Sequence, residues 1–162
     1  MDLGCHALDI VDYLLGPLQN VQGQASNATG TYPPEEQVVM TFQTSRGVLG
    51  TACWNFSSDQ HEDKMVITGT NGRLEMSIFG STPIVLTSGK RRDVIMQENP
   101  KSIQTPLIQT IVDDLLGRGS CPSTGETGLR TSLVLDEALG SYYGGRDDPF
   151  WLRPETWPGR RP

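Results

Sequence analysis

The chain has 162 residues, of which 36% are apolar and 20% charged, and its net charge is −6 at pH 7. This length fits one ordinary domain, which buries about two-thirds of its unfolded surface. The acidic balance argues against nucleic acid or an anionic membrane surface as a partner, because both require a basic footprint. No apolar run approaches the roughly 20 residues that span a bilayer.

The first predicted element is a helix that opens the chain with DLGCHALDIVDYLL. Its apolar stripe recurs at helical spacing and consists of Leu3, Ala7, Ile10 and Leu14. Polar residues follow the same period one position earlier, namely Asp2, His6, Asp9 and Tyr13. Gly16-Pro17 predicts the end of the helix, because glycine suits a left-handed cap and proline cannot continue the helix.

The following residues predict antiparallel strands. Alternation is weak over residues 21–27, and stronger runs at 37–42 and 48–54 predict a long hairpin. Asn71-Gly72 lies between two strand-like runs and is the strongest short hairpin signal in the chain. A third hairpin is predicted around Ser88-Gly89-Lys90. Consecutive hairpins predict one open, mostly antiparallel sheet.

Two helices and a tail complete the predicted elements. The first helix spans about residues 105–116, with a predicted buried side of Leu107, Ile108, Ile111, Val112 and Leu115. The second follows the capping signal Ser123-Thr124-Gly125-Glu126 and runs to Tyr143. Residues 146–162 predict a tail whose Trp151 and Trp157 anchor it to the body or to a partner subunit. The predicted fold class is therefore α+β, with helices packed on one face of an open sheet.

The three cysteines are scattered and show no metal-ligand spacing. An odd number of such residues predicts reduced, mostly buried thiols, as in a cytoplasmic protein. We therefore expect a cytoplasmic location and no metal site.

Asp2 and His6 are four residues apart, so a helix places them on one face. A histidine can accept the proton of a substrate hydroxyl, and a carboxylate one turn earlier can orient its ring. Spacing alone also fits a plain helix N-terminus, in which Asp2 interacts with the helix dipole and His6 is solvated or packed. Metal ligation by the pair lacks a third ligand nearby.

Trp54 and Asn55 end a predicted strand where a polar loop begins. A tryptophan face suits the C–H side of a sugar, so the two residues are candidate substrate contacts. The favoured alternative is a core tryptophan beside a solvated loop. Arg130, in GLRT, is predicted to cap or pair within the layer of helix and sheet.

Three segments of the chain resemble the C-terminal domain of the Gfo/Idh/MocA oxidoreductases: DLGCHALDIVDYLLGP, TGTNGRLEM and CPSTGETGLRTSLVLDEAL. The resemblance extends over residues 1–145 and implies an open antiparallel sheet with helices on one face. It implies that Asp2 is the active-site aspartate and that His6 helps to move the proton. Asp9 matches the third motif position, beside the substrate.

The resemblance also implies an NAD(P)-dependent enzyme that acts on a sugar, inositol or related polyol. The family's glycine-rich dinucleotide loop, G-x-G-x-x-G, occurs nowhere in the chain. We therefore expect a C-terminal part of a longer enzyme, with NAD or NADP bound by a missing Rossmann domain and none bound by this chain alone. The family's open sheet face implies a homodimer or tetramer, and the alternative function is a non-catalytic dimerisation module that has lost the cofactor domain.

Overall fold

The structure is a computed structural model that describes residues 1–32 and 34–144. Its elements in chain order are α1 (Asp2–Leu15), β1 (Leu18–Ser26), β2 (Gln37–Thr44), β3 (Leu49–Asn55), β4 (Met65–Gly69), β5 (Gly72–Met76), β6 (Ile84–Ser88), β7 (Arg91–Ile95), α2 (Thr105–Leu115) and α3 (Gly125–Tyr143). The elements fall into two units, one built from residues 1–59 and 124–144, the other from residues 60–123. The predicted tail of residues 146–162, with Trp151 and Trp157, lies outside the described residues.

The first unit contains an antiparallel sheet in the order β1-β2-β3. Along β2, residues alternate between a buried face, formed by Val38, Met40, Phe42 and Thr44, and an outer face. α1 and α3 supply the other side of the core. The whole core cluster consists of Leu8 from α1, Val21, Met40 and Phe42 from the sheet, and Val134 and Ala138 from α3. The period-2 pattern of the sheet and the helical pattern of α1 and α3 therefore meet in one hydrophobic layer.

α3 lies very close to β1. A Cβ atom built on Gly23 would lie 2.7 Å from the Cα of Ala138 and closer still to its carbonyl oxygen. Ala138 itself has no exposed surface. Glycine at position 23 is what allows the helix backbone to approach the strand backbone.

The orientation of α1 differs from the prediction. Its buried residues are Gly4, Ala7, Leu8 and Asp12, whereas Leu3 and Leu14 are each 40% exposed. The buried side is rotated away from the predicted stripe, with Ala7 common to both, because the apolar pattern does not count Asp12, a charged residue that is buried.

The second unit contains a four-stranded antiparallel sheet in the order β4-β5-β6-β7. β4 and β5 pair up to Gly69 and Gly72, and β6 and β7 pair up to Ser88 and Arg91, so both predicted hairpins are confirmed. The fold class, an open antiparallel α+β structure, is also confirmed. In the described part of the chain seven strands form two sheets, where the sequence predicts a single one. Residues 56–64 form no strand, and this polar segment separates β3 from β4.

α2 also differs from the prediction. The helix forms close to the expected bounds, but none of its residues is buried. Every side chain of the predicted buried side is exposed, from 38% at Leu107 to 83% at Leu115. The apolar residues of α2 do recur at helical spacing, but this spacing does not show whether another part of the protein covers them.

α3 begins as predicted. Thr124 is its N-cap, and its side chain accepts a hydrogen bond from the backbone N–H of Thr127, while the Thr127 hydroxyl accepts one from the backbone N–H of Thr124. This reciprocal pair satisfies two backbone donors that a helix start otherwise leaves open.

The predicted burial of the cysteines is wrong. Cys53 is exposed, and Cys5 and Cys121 are half-buried, although all three are free thiols. Alternation along β3 places Cys53 on the outer face of the sheet, opposite the core. Among the described residues, no helix combines the length and the hydropathy that a membrane span requires.

Candidate functional site

α1 presents one polar face to solvent, which we call the site face. It consists of Asp2, His6, Asp9 and Tyr13, all of them exposed. At 100° per residue, these four positions fall within about 60° of one another around the helix axis. The structure therefore brings together Asp2, His6 and Asp9, as the spacing predicts.

Two contacts attach the site-face helix to α3. The Thr131 hydroxyl donates to Oδ1 of Asp9 at 3.3 Å. Arg130 makes a two-pronged ion pair with Asp12, with Nε to Oδ2 at 3.0 Å and Nη2 to Oδ1 at 2.6 Å. Asp12 is only 6% exposed, and its hydrogen bonds with Arg130 raise the pKa of that guanidinium above its ordinary value.

The pairing predicted for Arg130 is confirmed, but sequence reasoning missed its partner. Asp12 lies three residues after Asp9, on a turn of α1 that the apolar pattern marks as neither core nor site. A buried charge is stable only when paired, and Asp12 and Arg130 are 118 residues apart in sequence. Only a search for opposite charges on the two helices could have found the pair.

Trp54 and Asn55 lie on β3, not on α1. Trp54 is half-buried, pairs across the sheet with Val38 and packs against the core of the first unit. Asn55 is exposed, and its Oδ1 accepts hydrogen bonds from the backbone N–H of Ser57 at 3.1 Å and from its hydroxyl at 2.8 Å. These contacts give Trp54 a packing role and Asn55 a turn-forming role.

A second polar cluster, unnoticed in the sequence, joins the start of α1 to the end of α3. Glu35 is 3% exposed and accepts hydrogen bonds from the Met1 nitrogen and from the Tyr143 hydroxyl. Burial would raise the pKa of Glu35, but these hydrogen bonds outweigh it and hold the pKa below its ordinary value. Burial, and then the hydrogen bond to Glu35, raise the pKa of Tyr143.

The second unit has an open pocket of about 440 Å³, lined among others by His61, Lys64, Glu75 and Ser77. At its edge, Asp63 accepts hydrogen bonds from the backbone N–H groups of Ile78 at 2.9 Å, Phe79 at 2.8 Å and Gly80 at 2.9 Å. Burial would raise the pKa of Asp63, but the three N–H donors lower it overall. The three backbone N–H groups form an arrangement of the kind that binds anions, and the carboxylate of Asp63 occupies it.

Metal ligands do not converge in the part of the chain that the structure describes. Within residues 1–32 and 34–144, no three histidine, cysteine, aspartate or glutamate side chains are placed to hold an ion. The site face itself offers the carboxylates of Asp2 and Asp9 and the imidazole of His6, which can accept and donate protons.

Comparison with protein families gives one match. The model of the GFO/IDH/MocA C-terminal domain matches residues 1–75, which contain the site face and the whole β1-β2-β3 sheet. The match confirms the resemblance that the first segment of the chain carries.

The relatives are oxidoreductases. Oxidoreductase P35 of Formosa agariphila is 24% identical over 140 residues, which are 86% of this chain and 43% of that protein. UDP-N-acetylglucosamine 3-dehydrogenase GnnA from Acidithiobacillus ferrooxidans has a TM-score of 0.72 at 15% identity, over 94% of this chain and 48% of its own. An oxidoreductase from Agrobacterium radiobacter in complex with NAD+, L-tartaric acid and magnesium has a TM-score of 0.71 at 19% identity, over 86% of this chain and 46% of its own. The chain thus spans less than half the length of these relatives and shares their fold.

Proposed function

We propose that the chain, whose residues 1–75 match the GFO/IDH/MocA C-terminal domain, is the substrate-binding and oligomerisation domain of an NAD(P)-dependent oxidoreductase. Its substrate is a sugar, inositol or related polyol. The proposed domain occupies residues 1–145, and the predicted tail of residues 146–162 lies outside the described residues. The enzyme is cytoplasmic, which three free cysteines support.

The observation that carries the proposal is the site face of α1. Oxidation of an alcohol requires removal of the hydroxyl proton, and the exposed imidazole of His6 suits that step. Asp2 lies one turn earlier on the same face, where a carboxylate can orient the ring and favour its charged form. Asp9 lies on the other side of His6 and is proposed to contact substrate hydroxyls.

NAD or NADP accepts the hydride in this proposal. The chain has no G-x-G-x-x-G loop, so we assign none of its residues to the dinucleotide. The exposure of the site face is consistent with a dinucleotide bound by a separate domain. An exposed proton acceptor needs a second surface to complete a cleft and exclude water. The cofactor domain is proposed to provide that surface.

The substrate class is supported by what the relatives act on or bind. One is a dehydrogenase of UDP-N-acetylglucosamine, and another was solved with L-tartaric acid. Both molecules carry hydroxyl groups on adjacent carbons. Trp54 and Asn55 are proposed as further substrate contacts, with the ring of Trp54 against the C–H face of a sugar.

The outer face of the β1-β2-β3 sheet is the proposed oligomer contact. Its exposed residues include Val39 at 50% and Leu49 at 79%. Exposed apolar side chains on an open sheet face favour association. The same observation supports the alternative function, a dimerisation module without catalysis, so the two must be separated by activity.

The test requires the chain together with the proposed dinucleotide-binding domain. We expect reduction of NAD+ or NADP+, followed at 340 nm, with at least one member of a panel of sugars, inositols and polyols. His6→Ala should lower kcat by about 100-fold or more, the usual contribution of a general base, with dinucleotide affinity retained. Arg118→Ala, an exposed position after α2, is the matched control and should keep full turnover.

Two results would contradict the proposal. Unchanged turnover in His6→Ala would remove the proton role of the site face. An oligomer that forms without any turnover, measured by light scattering on the same sample, would favour the dimerisation module. A Val39→Lys variant that dissociates the oligomer would locate the contact on the outer sheet face.

A further inference from the structure

α1 lies on the first unit at a rotation that its own apolar pattern does not predict. Taking 100° per residue, the buried residues of α1 are centred roughly 100° away from the predicted stripe around the helix axis. If the predicted apolar stripe faced the core, the site face would lie about a quarter turn from the core, along the surface of the first unit. At the observed rotation it points almost directly away from the core.

Two polar contacts select the observed rotation. Asp12 is 6% exposed and is held by two hydrogen bonds from Arg130, at 3.0 Å and 2.6 Å. The planar guanidinium matches both carboxylate oxygens at once, which fixes direction as well as distance. The next residue of α3, Thr131, donates to Asp9 at 3.3 Å.

We propose that Arg130 and Thr131 are positioning residues, which hold α1 at the rotation that turns its site face outward. This inference rests on the proposed function, because it assigns the two residues a part in presenting His6 to the substrate. Neither residue takes part in the proton transfer. Their effect reaches His6 through Asp9 and Asp12, which lie one and two turns further along the same helix.

The pair also has a stabilising role, which a test must separate from positioning. Arg130→Met leaves Asp12 buried without a partner and should lower Tm by about 5 °C or more. The double variant Asp12→Leu/Arg130→Met removes both charges and should recover most of that loss, because apolar replacements of a buried pair are tolerated. Positioning should not recover fully, because the double variant lacks the two-pronged contact and keeps only the hydrogen bond from Thr131 to Asp9.

The first readout is made on the 162-residue chain and needs no activity. The chain contains two histidines, His6 and His61, and His61 lies in the second unit. In the double variant and in Thr131→Val, we expect the ring resonances of His6 to shift or broaden in NMR spectra, with those of His61 unchanged. Arg118→Met is the matched control and should leave both rings at their native positions.

The second readout is turnover of the chain joined to its cofactor domain. The double variant should lose about tenfold to 100-fold in kcat at nearly native Tm, the scale expected from a small misplacement of a reacting group. Arg130→Lys keeps the charge but not the two-pronged geometry, so it should recover part of kcat at most.

The outcomes distinguish the two proposals. Native His6 resonances and native kcat in the double variant would overturn the positioning role and leave the proposed function intact. Unchanged turnover in His6→Ala would overturn the proposed function, while the NMR readout still decides whether Arg130 and Thr131 set the rotation of α1.

Discussion

At the scale of single residues, the chain shows which side chains a sequence pattern can and cannot locate. The spacing of Asp2 and His6 was sufficient to place both on one exposed face. Asp12 and Glu35 could not be located in this way, because each is buried only through partners more than 30 residues away in sequence. A hydrophobicity pattern predicts that carboxylates are exposed, because it contains no information about distant charges or hydrogen-bond donors.

Gly23 lies where β1 closely approaches α3, so adding a single methyl group there should destabilise the fold. Gly23→Ala would force the backbones of β1 and α3 apart, since the new Cβ would lie 2.7 Å from the Cα of Ala138. We expect the free energy of unfolding to fall by about 3 kcal/mol in urea denaturation, the upper range of overpacking. Gly128→Ala is the matched control, because nothing lies within 4 Å of that position in α3. The control should stabilise the chain by up to about 1 kcal/mol, and a loss as large as that of Gly23→Ala would contradict the argument.

At the scale of elements, the sequence predicted the three helices and both hairpins of the second unit, but not the burial of every helix. The start of α3 was predictable because Thr124, followed closely by Glu126, is a local capping signal, although the residue that completes the cap is Thr127. α2 was predicted as a buried helix because its apolar residues recur at the right spacing. Whether that stripe has a covering surface depends on tertiary packing, and none of its residues is buried in the described chain.

A pair of identical substitutions tests this difference between α1 and α2. Leu8 is 2% exposed in α1, whereas Leu115 is 83% exposed in α2. Leu8→Ala should cost about 2–5 kcal/mol in the free energy of unfolding, as expected for a core cavity. Leu115→Ala should change it by no more than about 0.5 kcal/mol. Equal losses at the two positions, measured by urea denaturation of each variant, would mean that another surface covers α2 in solution.

At the scale of the whole molecule, the antiparallel α+β class followed from hairpin signals, while the division into two sheets did not. Residues 56–64 are polar, but a polar segment between strands is equally typical of a long hairpin loop in a single sheet. The placement of Asp2, His6 and Asp9 on one face of α1 followed from their spacing. The outward direction of this face did not, because that depends on Arg130 and Thr131.

Stability of the whole chain should fall in acid. The pKa values of Glu35, Glu36, Asp63 and Glu75 all lie below their ordinary range in the folded protein. A carboxyl group with a lowered folded-state pKa stabilises the fold above its unfolded-state pKa, about 4. That contribution is lost as the pH falls through the folded-state pKa. We therefore expect Tm to be steady near neutral pH and to decrease below about pH 4.

Asp63→Asn isolates one of these groups. An amide has a single acceptor oxygen and turns an NH2 group toward the donors of Phe79 and Gly80, so the variant should melt lower than the native chain at pH 7. The difference should shrink as the pH falls below the unfolded-state pKa of an aspartate, about 4, toward the lowered folded-state pKa of Asp63. Asp59→Asn, an exposed neighbour, is the control and should melt like the native chain at pH 7. A Tm difference for Asp63→Asn that stays constant across this range would refute the assignment.

The first unit is built from two segments that are not contiguous in sequence, and this has a consequence for biosynthesis. Because α3 packs on β1 across an intervening stretch of residues 60–123, the ribosome must translate that stretch and the last helix before the hydrophobic layer can close. The hairpins of the second unit connect near neighbours and can form within microseconds of leaving the exit tunnel. The nascent chain therefore carries the unclosed β1-β2-β3 sheet while residues 56–143 are translated, and during this interval a chaperone can bind its apolar surface.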